Sequence, residues 1–354
     1  MRFKAVVLCC AFAAPAFAWD TPRNPDLRPS FGFEAGGGAD LHATQDLTLT
    51  ETGPRGRVLG TDAETRDLSG HTGQFVADAL FPLNDRLSVQ GGGGITTTVD
   101  RADALALLAN KTSVSLANTT TDTSLATAFM SLRYYFLDCN VGHALTDNPD
   151  QWPSLALRIS GNDSIYRNQT NTATNGATSV ARNSRSYLIG GGIDARVPLA
   201  EAWTLLVYLD GANGQTDLPE KSNAAGDDSQ LTTLAYGGGA KYYWVNQNLI
   251  RDDHHENPDR WISLAFTVAG THATHGQETL NETSGVVDQR DLSLSGFNTD
   301  AELRLPLSNS VTFRLGVGGG QTTLSAPQVG NNNPSVKTKT TFLNAFAGVR
   351  AYIL

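Results

Sequence analysis

Cysteine is scarce in this sequence, with three in 354 residues, and two of them, Cys9 and Cys10, fall within positions 1–18. Cys139 then stands alone, which excludes an internal disulfide and any cysteine-built metal site in the rest of the chain. Long apolar runs are missing too. Beyond position 18 no stretch reaches the roughly 18 consecutive apolar residues of a spanning helix, so a helical membrane protein is excluded. Charged residues make up only 17% and apolar residues 40%, below the roughly 25% and 45–50% of ordinary soluble domains. The 35 acidic residues outnumber the 26 basic ones, so the basic footprint of a nucleic-acid binder is absent. Gly, Ser, Thr and Asn fill the difference, a mixture that suits β-structure with long polar connections.

The start of the chain reads as a secretory signal over 1–18. Arg2 and Lys4 give the positive start, Ala5 to Phe12 the apolar stretch, and Ala16-Phe17-Ala18 the small-residue cleavage motif. Leu8 before Cys9 is too bulky for a lipoprotein cleavage site, so both cysteines are expected to leave with the leader and Trp19 to open the mature chain. Cleavage removes two basic residues and no acids, making the mature chain more acidic than the formal −9 of the whole.

Self-similarity is the strongest signal. The segment Asn24-Pro25-Asp26-Leu27-Arg28-Pro29-Ser30 aligns without gaps to Asn148-Pro149-Asp150-Gln151-Trp152-Pro153-Ser154 and to Asn257-Pro258-Asp259-Arg260-Trp261-Ile262-Ser263. A second element recurs in step: Asp78 to Pro82-Leu83, Asp194 to Pro198-Leu199, and Asp300 to Pro306-Leu307, the third with two extra residues before its proline. We read three repeats, 24–147, 148–256 and 257–354.

Period-2 alternation places four strands in each repeat. They run near 29–41, 73–83, 85–99 and 125–137; then 154–166, 185–199, 202–214 and 231–245; then 261–272, 294–307, 310–322 and 339–354. The expected fold is all-β, a closed antiparallel barrel of twelve strands. Links after Leu83, Leu199 and Leu307 are hairpin-short, while those at 42–72, 100–123 and 166–185 are long and polar, the asymmetry of a membrane barrel. Only 102–109, rich in Ala and Leu, reads as helix, resting on the rim or dipping into the lumen.

Alternation also sorts the faces. Leu155, Leu157 and Ile159 oppose Arg158, Ser160 and Asn162, and Leu343, Ala345, Ala347 and Val349 oppose Asn344, Gly348 and Arg350. In the third repeat Leu264, Phe266 and Val268 read as one face, with a phase shift relative to the second. A soluble sandwich would turn such a face inward and a lipid barrel would turn it outward. Aromatic placement decides. Trp152, Trp203 and Trp261 begin strands, and Tyr134, Tyr242 and Trp244 end them, all at the short-turn side, as an interfacial girdle requires.

On these residues the chain resembles the Gram-negative outer-membrane β-barrels, porin-like in superfamily, along essentially its whole mature length. The terminal stretch Phe342 to Leu354 looks like the signal read by the barrel-assembly machinery, although that family usually ends in Phe and this chain in Leu354. The resemblance implies location in the outer membrane, contact with its lipid, and the assembly machinery as a partner. Twelve strands also match autotransporter translocators, although no passenger segment is expected ahead of this barrel.

The polar face carries both signs of charge. Asp78, Asp194, Asp300 and Glu302, with Glu34, Asp40 and Asp210, oppose Arg133, Arg158, Arg196, Lys241, Arg304, Arg314 and Arg350, with Arg86. These are candidates for a lumen wall that selects small hydrophilic solutes by charge, or for ion pairs that fill a narrow lumen. Glycine runs at 91–94, 190–192, 237–239 and 318–320 lie inside strands, where they bend the sheet or leave room for an inward loop. No phosphate loop accompanies them. His42, His71, His272 and His275 map to the far rim without a diagnostic metal spacing, and no serine near His272 makes a hydrolase motif, so neither a cofactor nor an enzyme is expected. The reading is a channel for small solutes, against an alternative in which the long loops serve as surface or adhesin elements.

Overall fold

Alternating side chains on twelve strands need a closed sheet to bury every backbone donor, and that is what forms. The structure is a computed structural model that describes residues 29–53, 56–109, 112–116, 118–136, 150, 152–171, 179–217, 228–244, 261–281, 286–308, 310–327 and 335–353. The leader, Cys139 and most of the Asn-Pro-Asp segments lie outside the described residues.

Residues 30–135 contain β1 (Ser30–Thr52), β2 (Val58–Asn84), β3 (Leu87–Ala102), the short β4 (Leu105–Ala109) and β5 (Thr112–Leu116), and β6 (Asn118–Tyr135). Then come β7 (Ser154–Asn171), β8 (Ser179–Ala200), β9 (Trp203–Asp217) and β10 (Asp228–Tyr243). The last four are β11 (Ser263–Asn281), β12 (Val286–Ser308), β13 (Val311–Ala326) and β14 (Ser335–Ile353). Every barrel strand pairs antiparallel with its neighbours, and β14 closes on β1 through registers such as Glu34↔Arg350. Closure leaves no sheet edge, the condition for strands in a medium that offers no hydrogen bonds. The pair β4–β5 is a separate two-stranded ribbon.

All twelve strands found by alternation exist, but they are longer than alternation showed. β1 runs 23 residues and β2 runs 27, whereas a tilted strand crosses a bilayer in about 9–11. The stretches 42–52 and 58–72, expected as loop, are strand, as is most of 100–123. Beyond the apolar band the outer face turns polar, so the period-2 signal stops while the hydrogen-bonded ladder continues. The helix expected at 102–109 is corrected to the end of β3 and the strand β4. Leu105 and Leu107 are 8% and 2% exposed and pack with Leu47, Leu49 and Val336, and two buried leucines two apart are a strand pattern that outweighs Ala/Leu helix propensity.

The faces separate as ion pairs and exposure require. Leu157, Ile159, Ile189, Phe266, Val268 and Leu343 are 42–71% exposed, while their strand neighbours Ala156 and Ala269 are buried. Ser154 and Ser263 are equally buried and Leu155 and Leu264 take the same face, so the phase shift expected in the third repeat does not occur. Charged side chains meet across an intervening strand, Arg133 on β6 reaching Asp194 on β8 past β7. Only the concave side of a barrel brings next-nearest strands that close, so the apolar face is outside.

The aromatic belt rings the short-turn end. Trp203, Tyr242 and Trp244 meet in series, tilted and then edge-on, with ring centroids 4.9 and 5.0 Å apart, Tyr134 meets Phe136 edge-on at 5.0 Å, and Phe31 meets Phe81 at 5.7 Å. Trp152 and Trp261 stand immediately before β7 and β11, half-buried.

Candidate functional site

The site is built where β2, β8 and β12 end. Pro82, Pro198 and Pro306 pair with Ser88, Thr204 and Thr312, and each proline is followed by a register shift into the turn. A proline lacks the N–H that the ladder needs, so it sits where a bulge excuses it. β6, β10 and β14 close over this device: the backbone N–H of Tyr135, Tyr243 and Tyr352 donates at 2.8 Å to the carbonyl of Arg86, Ala202 and Ser310. The tyrosines are 3–6% exposed, and Ser88, Thr204 and Thr312 at most 1%. The inner wall at the short-turn end is therefore packed.

Directly above lies the charge layer. Arg350 Nη2 reaches Asp78 Oδ1 at 2.5 Å and its Nη1 lies 3.5 Å from Glu34 Oε2. Arg314 joins Glu34 to Glu302, and Arg304 Nε lies 2.5 Å from Glu302 Oε1. Gln90 and Gln74 donate to Asp78 at 2.7 Å and Glu34 at 3.0 Å. This network crosses β12, β13, β14, β1 and β2, and thus the seam where first and last strands meet. On the opposite wall Arg133 binds Asp194 at 2.5 Å and Ser154 at 3.0 Å, and Arg158 binds Asp210 at 2.5 Å. Glu34 has 6% of its side chain exposed and Asp78 7%. Charges so buried persist only when paired.

Asp150, from the link ahead of β7, completes this layer from below. Tyr243 Oη donates to its Oδ2 at 2.6 Å, and Arg196 Nη1 lies 3.7 Å from its Oδ1. Burial opposes ionisation, but Arg196 and Lys241, with hydrogen bonds from Tyr243 and Thr204, outweigh it and hold this carboxyl below its ordinary range. Lys241 Nζ stands 4.7 Å over the Tyr243 ring, and the Arg350 guanidinium 5.2 Å over Tyr352.

Ten of the eleven candidate wall residues thus join this layer. Asp300 differs, since its carboxylate accepts from Asn298 at 2.8 Å. It had been aligned with Asp78 and Asp194, but relative to the proline bulge the acid in their place is Glu302, which pairs with Ala265 as Asp194 pairs with Ala156. Arg86 leaves the set. It lies in the turn before β3 and reaches the outward Tyr134 hydroxyl at 3.4 Å. Asp150 and the three tyrosines were missed. The signal was present in Arg133-Tyr134-Tyr135, Lys241-Tyr242-Tyr243 and Arg350-Ala351-Tyr352, a cation two residues before a buried tyrosine.

Above the charge layer the glycine runs have a specific use. A Cβ on Gly316 would fall 2.1 Å from Phe346 Cε1, and one on Gly237 would fall 2.6 Å from the Tyr208 hydroxyl. The rings on the neighbouring strands therefore lie flat in hollows left by missing side chains. Higher still, β4 rests on the inner face of β1 and β2: Leu108 N donates to Asp62 Oδ2 at 2.6 Å, and Arg66 Nη1 to the Asp103 carbonyl at 3.2 Å. The inward loop for which the glycines were a candidate exists, but it sits above them. Among the described residues no cluster of His, Cys, Asp and Glu is arranged to hold a metal ion.

No protein family and no curated protein matches this chain. Solved structures show a distant likeness. The translocator domain of autotransporter NalP from Neisseria meningitidis is 12% identical, over 90% of this chain and 88% of that one, with a TM-score of 0.40. The transport unit of autotransporter AIDA-I from Escherichia coli is 10% identical, over 92% and 90%, at 0.44, and a Pseudomonas aeruginosa FadL homologue is 9% identical, over 93% and 92%, at 0.33.

Proposed function

We propose that this chain is an outer-membrane barrel that passes small hydrophilic solutes, with the short-turn end in the periplasm and the charge layer as its narrowest point. The observation that carries the reading is the inner wall itself. It concentrates paired charges in one layer, and above that layer Phe346 and Tyr208 are laid into glycine hollows. A purely structural barrel has no need to fold aromatic rings out of its own lumen. Solutes of either charge sign meet a wall whose pairs offer both partners, so weak charge selectivity is expected.

Planar-bilayer recording on the refolded barrel tests this. Small current steps are expected at both polarities, with larger steps after Asp150→Ala and Tyr243→Ala together, which unpin the layer from below. Silence from both proteins would sink the channel reading. A second reading rests on strand length. β1 and β2 rise well past any bilayer, and the ribbon β4–β5 caps that extension, which favours a surface element acting through its far end. Removing 103–117 while following solute uptake and surface attachment separately distinguishes the two, since a channel changes in uptake and a surface element in attachment.

A further inference from the structure

Two depressions in the outer wall adjoin. The first is a shallow groove of about 470 Å³ between β1 and β14, where Gly37, Ala39, Ala345 and Ala347 replace the large side chains found elsewhere on this face. The second is a crevice of about 140 Å³ between β2 and β3, lined by Ser69, Gly70, His71, Val99 and Arg101. The register joins them, because Ala39 pairs with His71 and Gly38 with Thr72.

They meet at the upper end of the groove, which runs from there down the apolar band: His71, in register with Ala39, stands roughly ten residues along β2 from Phe81 of the aromatic belt, about 33 Å of strand and about 25 Å of height at barrel tilt, the thickness of the lipid-facing band. Apolar outward residues stop there. Phe75 is followed outward by Gly73, His71 and Ser69, and Ile95 by Thr97, Val99 and Arg101. Arg101 and His71 are exposed, and among the described residues Arg101 has no carboxylate partner. In the same outward row Asp122, beside Val99, is followed by Arg167 on β7, and the next acid on this face of β2, Asp67, lies two residues beyond Ser69, above the crevice. An otherwise acidic chain thus keeps, among the described residues, a guanidinium without a carboxylate partner at headgroup level on β3, across β2 from the groove.

We propose that groove and crevice together hold one phosphorylated, acylated lipid of the outer leaflet. An acyl chain lies along Gly37, Ala39 and Ala347, and a phosphate is held by Arg101 with His71 and Ser69. Guanidinium donors match phosphate geometry, and the missing side chains let the acyl chain approach the backbone. The inference uses the membrane orientation of the proposed function but not its channel activity.

Native mass spectrometry of the detergent-released barrel tests it, with hexa-acylated bis-phosphorylated lipid A as the probe and its dephosphorylated form as the control. One retained phosphorylated lipid per barrel is expected. Arg101→Ala with His71→Ala should weaken retention about tenfold. Ala347→Leu, which fills the groove, should weaken retention of both lipids. Folding of each variant is checked by the gel shift between unheated and heated samples. Equal retention of the dephosphorylated lipid, or unchanged retention after the double substitution, would show ordinary annular lipid and overturn the proposal. Failure of conductance with intact lipid retention would sink only the channel.

Discussion

At the short-turn end the inner wall is crowded with arginines, acids, prolines and tyrosines, with Glu34, Asp78 and the three tyrosines less than a tenth exposed, whereas at the far end the same strands carry threonines and aspartates around one small leucine cluster. The two ends obey different constraints. Near the turns the lumen side must absorb charge inside a wall whose outer face is apolar, so each arginine is matched and the bulge recurs at Pro82, Pro198 and Pro306. At the far end both faces meet water, the ladder alone holds the strands, and tertiary order comes from Leu47 and Leu49 under the β4 ribbon.

The sharpest break between the two regions should come from Glu34→Ala. It removes the acid shared by Arg314 and Arg350 and leaves two largely buried guanidinium groups across the closing seam. Loss of one member of a buried pair costs 3–5 kcal/mol. Because about a fifth of each arginine side chain is exposed, about 3 kcal/mol is expected, read from urea unfolding followed by tryptophan fluorescence. Leu49→Ala acts at the other end. Leu49 is fully buried, and such truncations cost about 2 kcal/mol or more, but here the loss should stay local. Protease cleavage within 103–117 should accelerate while the global urea midpoint stays in place. A shared drop in both readouts would mean that the far end and the charge layer unfold as one unit.

That contrast also explains what could be read without a structure. The twelve strands, their outward faces at Leu155, Leu157 and Leu343, and the belt at Trp203 and Tyr242 were legible because lipid on one side enforces strict alternation. Residues 42–72 were not, since past the lipid band the backbone ladder persists without a side-chain signature. The leucines of 105–108 were misread for a related reason: the partners that select strand over helix, Leu47 and Leu49, lie more than fifty residues away. Asp150 was visible within a repeated motif, yet nothing local announces that it reaches Tyr243 on β10.

Between the two ends lie the glycine hollows, and Gly316→Ala probes them. The added methyl would displace the Phe346 ring, and overpacking of this kind costs about 1 kcal/mol or more. The ring would swing into the lumen, so current steps should shrink. Phe346→Ala introduced alongside should restore both stability and conductance. Additive losses in that double-mutant cycle would show that the two residues do not interact.

The smallest effect should follow pH through Asp150. Its carboxyl is held below the ordinary range by Arg196, Lys241, Tyr243 and Thr204 against the opposing effect of burial. A carboxyl with a depressed folded-state pKa adds stability that is complete above its unfolded value, about 3.9, and that is lost as the pH falls through the folded value. The barrel should therefore weaken as the pH drops below about 4, and Asp150→Asn should flatten that part of the curve, measured as urea midpoint against pH. Above it Asn still accepts from Tyr243 but no longer answers Arg196 and Lys241, so the variant should sit slightly below the parent at neutral pH and converge with it in acid. Parallel curves would mean that the Asp150 charge is solvated as well in the folded barrel as in the unfolded chain, and that the link before β7 touches the layer without helping to hold it.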